Sequence, residues 1–294
     1  MANGLTGTQF EEMNRNNVAQ VLALQLKTKQ SSNNNSTTDN NTNSNTSQPS
    51  NAPILIVANT HLFWNPRYDW VRIKQTAFLL ETMKSMEAKW KAQNIPSHSI
   101  LCGDLNSTPN TLLYRLLTAM DIGESEHTQL LAPENDSNNI VDAVNESLSG
   151  ELVKYIMSRQ PKNEEDHHRL EEIKVLMHHV KHNLPLMKSL YSWYWEVAEK
   201  PNKRDNYRGE PPWTSYSIWA GTLDYIMVEQ NEIERISTFA QEASLKSVLV
   251  PVSILDIPSQ DILTKETALP NEVLPSDHFC IVADFVLRMK HDNK

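Results

Sequence analysis

The run Ile54-Leu55-Ile56-Val57-Ala58 constrains the fold more than any other feature of the chain. An unbroken apolar stretch this short has the pattern of a fully buried strand, not of an amphipathic one. Polar residues enter only where it ends, at Asn59-Thr60-His61-Leu62. The same layout recurs. Ile100-Leu101-Cys102 runs into Gly103-Asp104-Leu105-Asn106-Ser107-Thr108-Pro109. Asp224 interrupts the otherwise apolar strand pattern Thr222 to Val228, and Ser276-Asp277-His278 leads into the run Phe279 to Leu287. Loops at one edge of a sheet converge, so these four segments are expected to meet.

The remainder supplies the frame. Asn17 to Leu26 reads as a strand of mostly buried residues, and 31–51 is almost wholly Ser, Thr and Asn. Such a tract buries nothing and is expected to be disordered. It joins two strand patterns, which suggests an antiparallel pair whose hairpin loop has expanded. Between Trp70 and Trp90, Ile73, Ala77, Leu80 and Met83 recur at helical spacing. Thr108-Pro109 predicts an N-cap and a first helical position leading into Leu112 to Leu117. The charged stretch 146–200 reads as a helical insertion, with an apolar stripe at Leu170, Ile173, Met177, Val180 and Leu184. His178 and His182 stand at i, i+4 within it. With no third ligand well placed, they read as a solvated face rather than a metal clasp. Strand character returns at Ser247 to Ile254. The whole is predicted to be α/β, a two-sheet sandwich in a single domain over 1–294.

Composition narrows the function. A net charge of −9 gives no diffuse attraction to duplex nucleic acid, so any nucleic-acid substrate must be held in a local pocket with help from a metal. With 15 prolines against 7 glycines there is no Gly-rich phosphate loop. The two cysteines, Cys102 and Cys280, sit in apolar runs and read as free buried thiols, not as a disulfide framework. No apolar run is long enough to span a membrane, and residues 1–12 lack the layout of a secretory signal. An intracellular protein is expected, with the cytoplasm placed first and nucleus or mitochondrion open.

Phosphodiester hydrolysis needs a base to orient water, positive charge against the phosphate oxygens and a metal on hard carboxylate ligands. His, Asp and Asn at the four strand ends supply those groups. Asp224 is the most informative, because a carboxylate inside a strand is costly unless paired, and His278 is its natural partner.

Taken together, Val57-Ala58-Asn59-Thr60-His61-Leu62, Gly103-Asp104-Leu105-Asn106-Ser107-Thr108-Pro109 and Gly221-Thr222-Leu223-Asp224-Tyr225-Ile226 resemble the endonuclease/exonuclease/phosphatase (DNase I-like) superfamily. The likeness is greatest to its deadenylase, nocturnin and Angel branch, to which Glu210-Pro211-Pro212-Trp213-Thr214 is also similar. The resemblance covers roughly 14 to 288 apart from the Asn tract and much of the helical insertion. It implies a Mg²⁺-dependent hydrolase, with Mn²⁺ as a substitute, acting on a single-stranded RNA 3′ end. Asp104 would orient or deprotonate the attacking water, and Asn106 would hold the scissile phosphate. His278, buttressed by Asp224, would stabilise the transition state. Asp277 would help hold the metal, and His61, beside Asn59, would contact the phosphate. Pro66 and Trp219 match the pair that clamps an adenine in that branch, where Phe is common at the second position.

The family's sandwich has two similar halves, and its principal metal-binding Glu lies on a strand that would precede Asn17. Glu11 and Glu12 are the only acids there, in a polar stretch without strand character. The resemblance therefore implies an N-terminally incomplete fold with one sheet face uncovered. The expected activity is removal of nucleotides from an RNA 3′ end as 5′-mononucleotides, with poly(A) preferred. A small-molecule phosphatase or 2′-phosphodiesterase is the second reading, and a catalytically inert RNA- or protein-binding fragment the third.

Overall fold

The computed structural model describes residues 14–25, 52–65, 69–118, 164, part of 172–197, 209–258 except 218 and 243, and 269–290 except 273. The Asn-rich tract and Pro66 lie outside the described residues, as does most of the segment read as a helical insertion.

Strand β1 (Ala19–Gln25) pairs antiparallel with β2 (Ile54–His61), which pairs parallel with β3 (Ser97–Asp104). Strand β7 (Asp224–Glu229) runs antiparallel to β3 and to β4 (Met187–Ser189), so the main sheet is ordered β1-β2-β3-β7-β4. A short hairpin, β5 (Ser215–Tyr216) and β6 (Ala220–Gly221), and a separate antiparallel pair, β8 (Ser247–Ile254) and β9 (Ala283–Met289), complete the strands.

The apolar run of β2 is covered on both faces, as its composition demands. Ile54, Ile56 and Ala58 pack with Tyr225 and Met227 of β7 against α1 (Asp69–Lys91) and α2 (Leu112–Thr118). Leu55, Ile100, Ile226 and Val228 point the other way, onto Leu249, Phe285 and Leu287 of the β8–β9 pair and Leu190 of α3 (Leu190–Val197). Two layers of sheet with helices outside one of them is the expected α/β sandwich.

Four expectations need correction. Strand β1 is an exposed edge, not a mostly buried strand: Leu22 is 43% and Leu24 48% exposed, on the face that β8–β9 leaves uncovered. The second helix begins later than Thr108-Pro109 suggested. Those residues form a turn in which the Thr111 hydroxyl donates to the Thr108 carbonyl, and Thr111 takes the cap position, its hydroxyl accepting from Tyr114 N at 3.5 Å. Met187–Ser189, inside the segment read as helical, is a strand, and Val180, Leu184 and Met187 belong to the main core. Cys280 is exposed and Cys102 half-buried, and both are free. No helix among the described residues is long and apolar enough to cross a membrane.

At the end of the main sheet away from the site, His98 is buried between Glu232 (Nδ1 to Oε2, 2.7 Å), on α4 (Gln230–Thr238), and the Ser247 hydroxyl (2.8 Å). This ties β3, α4 and β8 together.

Candidate active site

Strand register builds the site. His61 is paired with Asp104 across β2–β3, and Asp104 with Asp224 across β3–β7. Directly paired residues share a sheet face, so these three side chains form one row on the β8–β9 side, where β2 and β3 end and β7 begins. The fourth member comes from a loop. His278 bridges Ser215 of the β5–β6 hairpin, and its Nδ1 lies 2.8 Å from Asp224 Oδ2. The pairing expected for a carboxylate inside a strand is therefore present.

Asp104 is the centre of the row. Its Oδ2 lies 3.4 Å from His61 Nε2 and 4.0 Å from His278 Nε2, and its Oδ1 accepts from Asn106 N at 2.8 Å. Burial raises the pKa of its carboxyl above the usual range, and the neighbouring Asp224 adds to this, against the Asn106 amide and the two histidines, which lower it. The hydrogen bond to Asp224 raises the pKa of His278, with the charges of Asp224, Asp104 and Asp277 assisting and burial opposing. Two neighbouring groups shifted from their ordinary values, both with Asp224 as a contributor, mark a candidate functional site.

Asn106 takes a positive φ of 47°, a strained conformation for a residue other than Gly, and donates its Nδ2 to the Leu62 carbonyl at 2.8 Å. An amide nitrogen carries two hydrogens, so one donor remains. Asn59 is exposed two residues before His61, on the same face. Asp277 lies beside the row, with its backbone carbonyl accepting from Tyr216 N, but its carboxylate is not part of the central cluster. Trp219 is 49% exposed at the turn of the β5–β6 hairpin, and its ring packs onto Gly221, where a Cβ would stand 2.2 Å from Cη2.

Among the described residues, Asp104, Asp224 and His278 form a group whose ligand atoms lie within 4.8 Å of one another. Two carboxylates suit a hard divalent cation that keeps part of its water shell. With Nδ1 of His278 spent on Asp224, oxygen donors carry the fit. The expectation had Asp277 help hold the metal; its carboxylate is not in this group.

Sequence reasoning gave no role to the scaffold behind the row, although Glu210 to Thr214 and Tyr225 stand in segments that carry the resemblance. Thr214, fully buried, hydrogen-bonds Asp224 Oδ2 at 2.6 Å. Tyr225 hydroxyl donates to the Ser107 carbonyl at 2.6 Å, and Tyr114 hydroxyl to buried Glu210 at 2.6 Å. The available signal was polar residues, Glu210 and Thr214, within a Pro- and Trp-rich segment.

Acids and histidines thus stand side by side at the ends of adjacent strands, with two carboxylates placed to suit a hard cation. No family model matches the chain. Carbon catabolite repressor protein 4 homolog 3 of Arabidopsis thaliana is 28% identical over 280 residues, covering 92% of this chain and 50% of its own length. RNA exonuclease NGL2 of Saccharomyces cerevisiae is 25% identical over 303 residues, covering 93% and 56%. The crystal structure of ANGEL2, a 2′,3′-cyclic phosphatase, aligns with TM-score 0.44 and 21% identity over 80% of this chain and 57% of that one. The chain is similar over most of its length to CCR4- and Angel-type proteins, in keeping with the resemblance to the endonuclease/exonuclease/phosphatase superfamily. It spans about half the length of the curated relatives it matches.

Proposed function

We propose that the protein hydrolyses phosphodiesters at an RNA 3′ end, releasing 5′-mononucleotides, with adenylate tails preferred. The observation that carries this reading is the row His61–Asp104–Asp224 closed by His278 on Asp224.

Each member has a chemical task. A carboxylate with a raised pKa is a better base than an ordinary one, so Asp104 takes the proton of the attacking water. His278 stays protonated to higher pH than a free imidazole and presents Nε2 toward Asp104, placing a cationic donor where negative charge develops on the phosphorane. Asp224 holds Nδ1 and fixes the ring. Asn106 offers its remaining amide hydrogen to a phosphate oxygen, while exposed His61 and Asn59 meet the phosphate at the rim. Mg²⁺ on the carboxylate oxygens would neutralise charge on the transferring phosphate. Exposed Trp219 stacks the terminal base, and stacking alone tolerates several bases.

The test is end-labelled RNA with a 3′ adenylate tail, incubated with the full chain and Mg²⁺, beside a 2′,5′-linked oligoadenylate and an inositol phosphate. A ladder of single-nucleotide losses with release of AMP, abolished by chelation and by Asp104→Asn, is expected. Untouched RNA together with cleavage of either small molecule overturns the substrate assignment. It would install the small-molecule phosphatase or 2′-phosphodiesterase reading. No hydrolysis of any of the three, with retained RNA binding, would favour an inert binding fragment.

A further inference from the structure

We propose that Thr214 is a positioning residue that fixes the Asp224 carboxylate against His278. The proposal rests on the reading above, in which that pair acts in hydrolysis.

The polarity of the arrangement follows from counting. A hydroxyl has one donor and two acceptor sites. Thr214 Oγ1 accepts from Leu223 N at 2.9 Å and from Asp224 N at 3.0 Å, so both acceptor sites are used by groups that can only donate. Its single hydrogen is left for Asp224 Oδ2, 2.6 Å away. That same oxygen receives His278 Nδ1 at 2.8 Å. Oδ2 is therefore held from two sides, which leaves the carboxylate one orientation although Asp104 is close by.

The backbone of Thr214 joins the same parts. Its N–H donates to the Gly221 carbonyl at 3.0 Å, and its carbonyl accepts from Phe279 N, the residue after His278, at 2.7 Å. Ser215 bridges His278 itself. One fully buried residue thus sets the start of β7, the hairpin and the histidine loop relative to one another. The Thr214 hydroxyl spends all three of its hydrogen-bonding sites within this arrangement, so it acts through Asp224.

The experiment uses the full chain with ¹⁵N-labelled imidazole rings, read by NMR at one fixed pH beside thermal melts. A proton held between His278 Nδ1 and a carboxylate gives a far-downfield resonance. Wild type and Thr214→Ser are expected to show it, and Thr214→Ala, still melting cooperatively, to lose it. In turnover, Thr214→Ala lowers kcat by about 10- to 100-fold with KM changed less than about twofold, while Ser stays within about threefold of wild type. Should Ala fail to fold, Thr214→Cys keeps the volume with a weaker donor and is expected to shift the resonance partway. A folded Ala or Cys variant with the wild-type resonance overturns the proposal. Because the resonance needs no turnover, it decides on Thr214 even if every phosphodiester is left untouched. Conversely, turnover that is lost in Asp104→Asn but unchanged in Thr214→Ala refutes the positioning role alone.

Discussion

Gly103 holds φ at +131°, and a Cβ built there would fall 1.9 Å from the Thr60 carbonyl oxygen. The strand carrying Asp104 can therefore approach the strand carrying His61 only with a glycine at this position. Gly103→Ala is expected to cost about 3 kcal/mol or more and to open the row, which chemical denaturation and the turnover assay would both register. A change at Asp104 separates chemistry from folding. Asp104→Asn removes the base but keeps the shape, and relieves the repulsion with Asp224 that raises the acid. Its kcat should fall by about 10²–10⁴-fold while its melting temperature stays level or rises. A melt that fell with the activity would mean that Asp104 is there for structure.

At the element level, the end of the main sheet opposite the site carries two acids with opposite pH signatures. Burial, followed by the charge and hydrogen bond of Glu87, raises Glu229 from 4.5 to about 8. In the unfolded chain it ionises near 4.5, so folding takes up a proton between those values, and its contribution falls as pH rises from about 4.5 to about 8. Glu229→Gln, which cannot ionise, should stabilise the protein by about 2 kcal/mol at pH 8 and leave it unchanged near pH 4. Glu232 has the reverse sign. Burial pushes it up, but the His98 hydrogen bond and charge, with Arg235, outweigh that and hold it below 4.5. Its contribution is present above 4.5 and is lost as pH falls through the folded value. Glu232→Gln should cost about 2–3 kcal/mol at neutral pH and flatten the acid limb of a melt-versus-pH curve. An acid limb unchanged by the substitution would remove Glu232 from that account.

For the whole molecule, the part of the main sheet left exposed among the described residues matters most. Leu22 and Leu24 lie exposed on an edge strand, and Val286 and Met289 of β9 are 45% and 42% exposed. An exposed apolar edge strand invites association. The pair Leu22→Thr and Leu24→Thr should reduce concentration-dependent association in sedimentation velocity while changing stability by less than about 0.5 kcal/mol each. A large loss of stability would show that this face is already covered in solution.

What the sequence determined by itself is local. Short apolar runs placed β2, β3, β7 and β8, helical spacing placed α1, and the carboxylate inside a strand pointed from Asp224 to His278. Cost is the physical reason, because burying such groups out of pattern is too unfavourable to be accidental. Other features were legible only in space. Whether a strand is central or at an edge depends on its neighbours, so an apolar pattern was read as a buried β1. Met187–Ser189 carries no strand signal of its own and becomes a strand because β7 offers it an open edge. The cap moved to Thr111 because the Thr108-Pro109 turn was already closed by its own hydrogen bonds. The row itself, His61 beside Asp104 beside Asp224, is a matter of register, and Thr214 enters it only through a hydroxyl whose three partners come from folding. Residue types fix which chemistry is available, whereas distances between residues far apart in the chain are decided by packing alone.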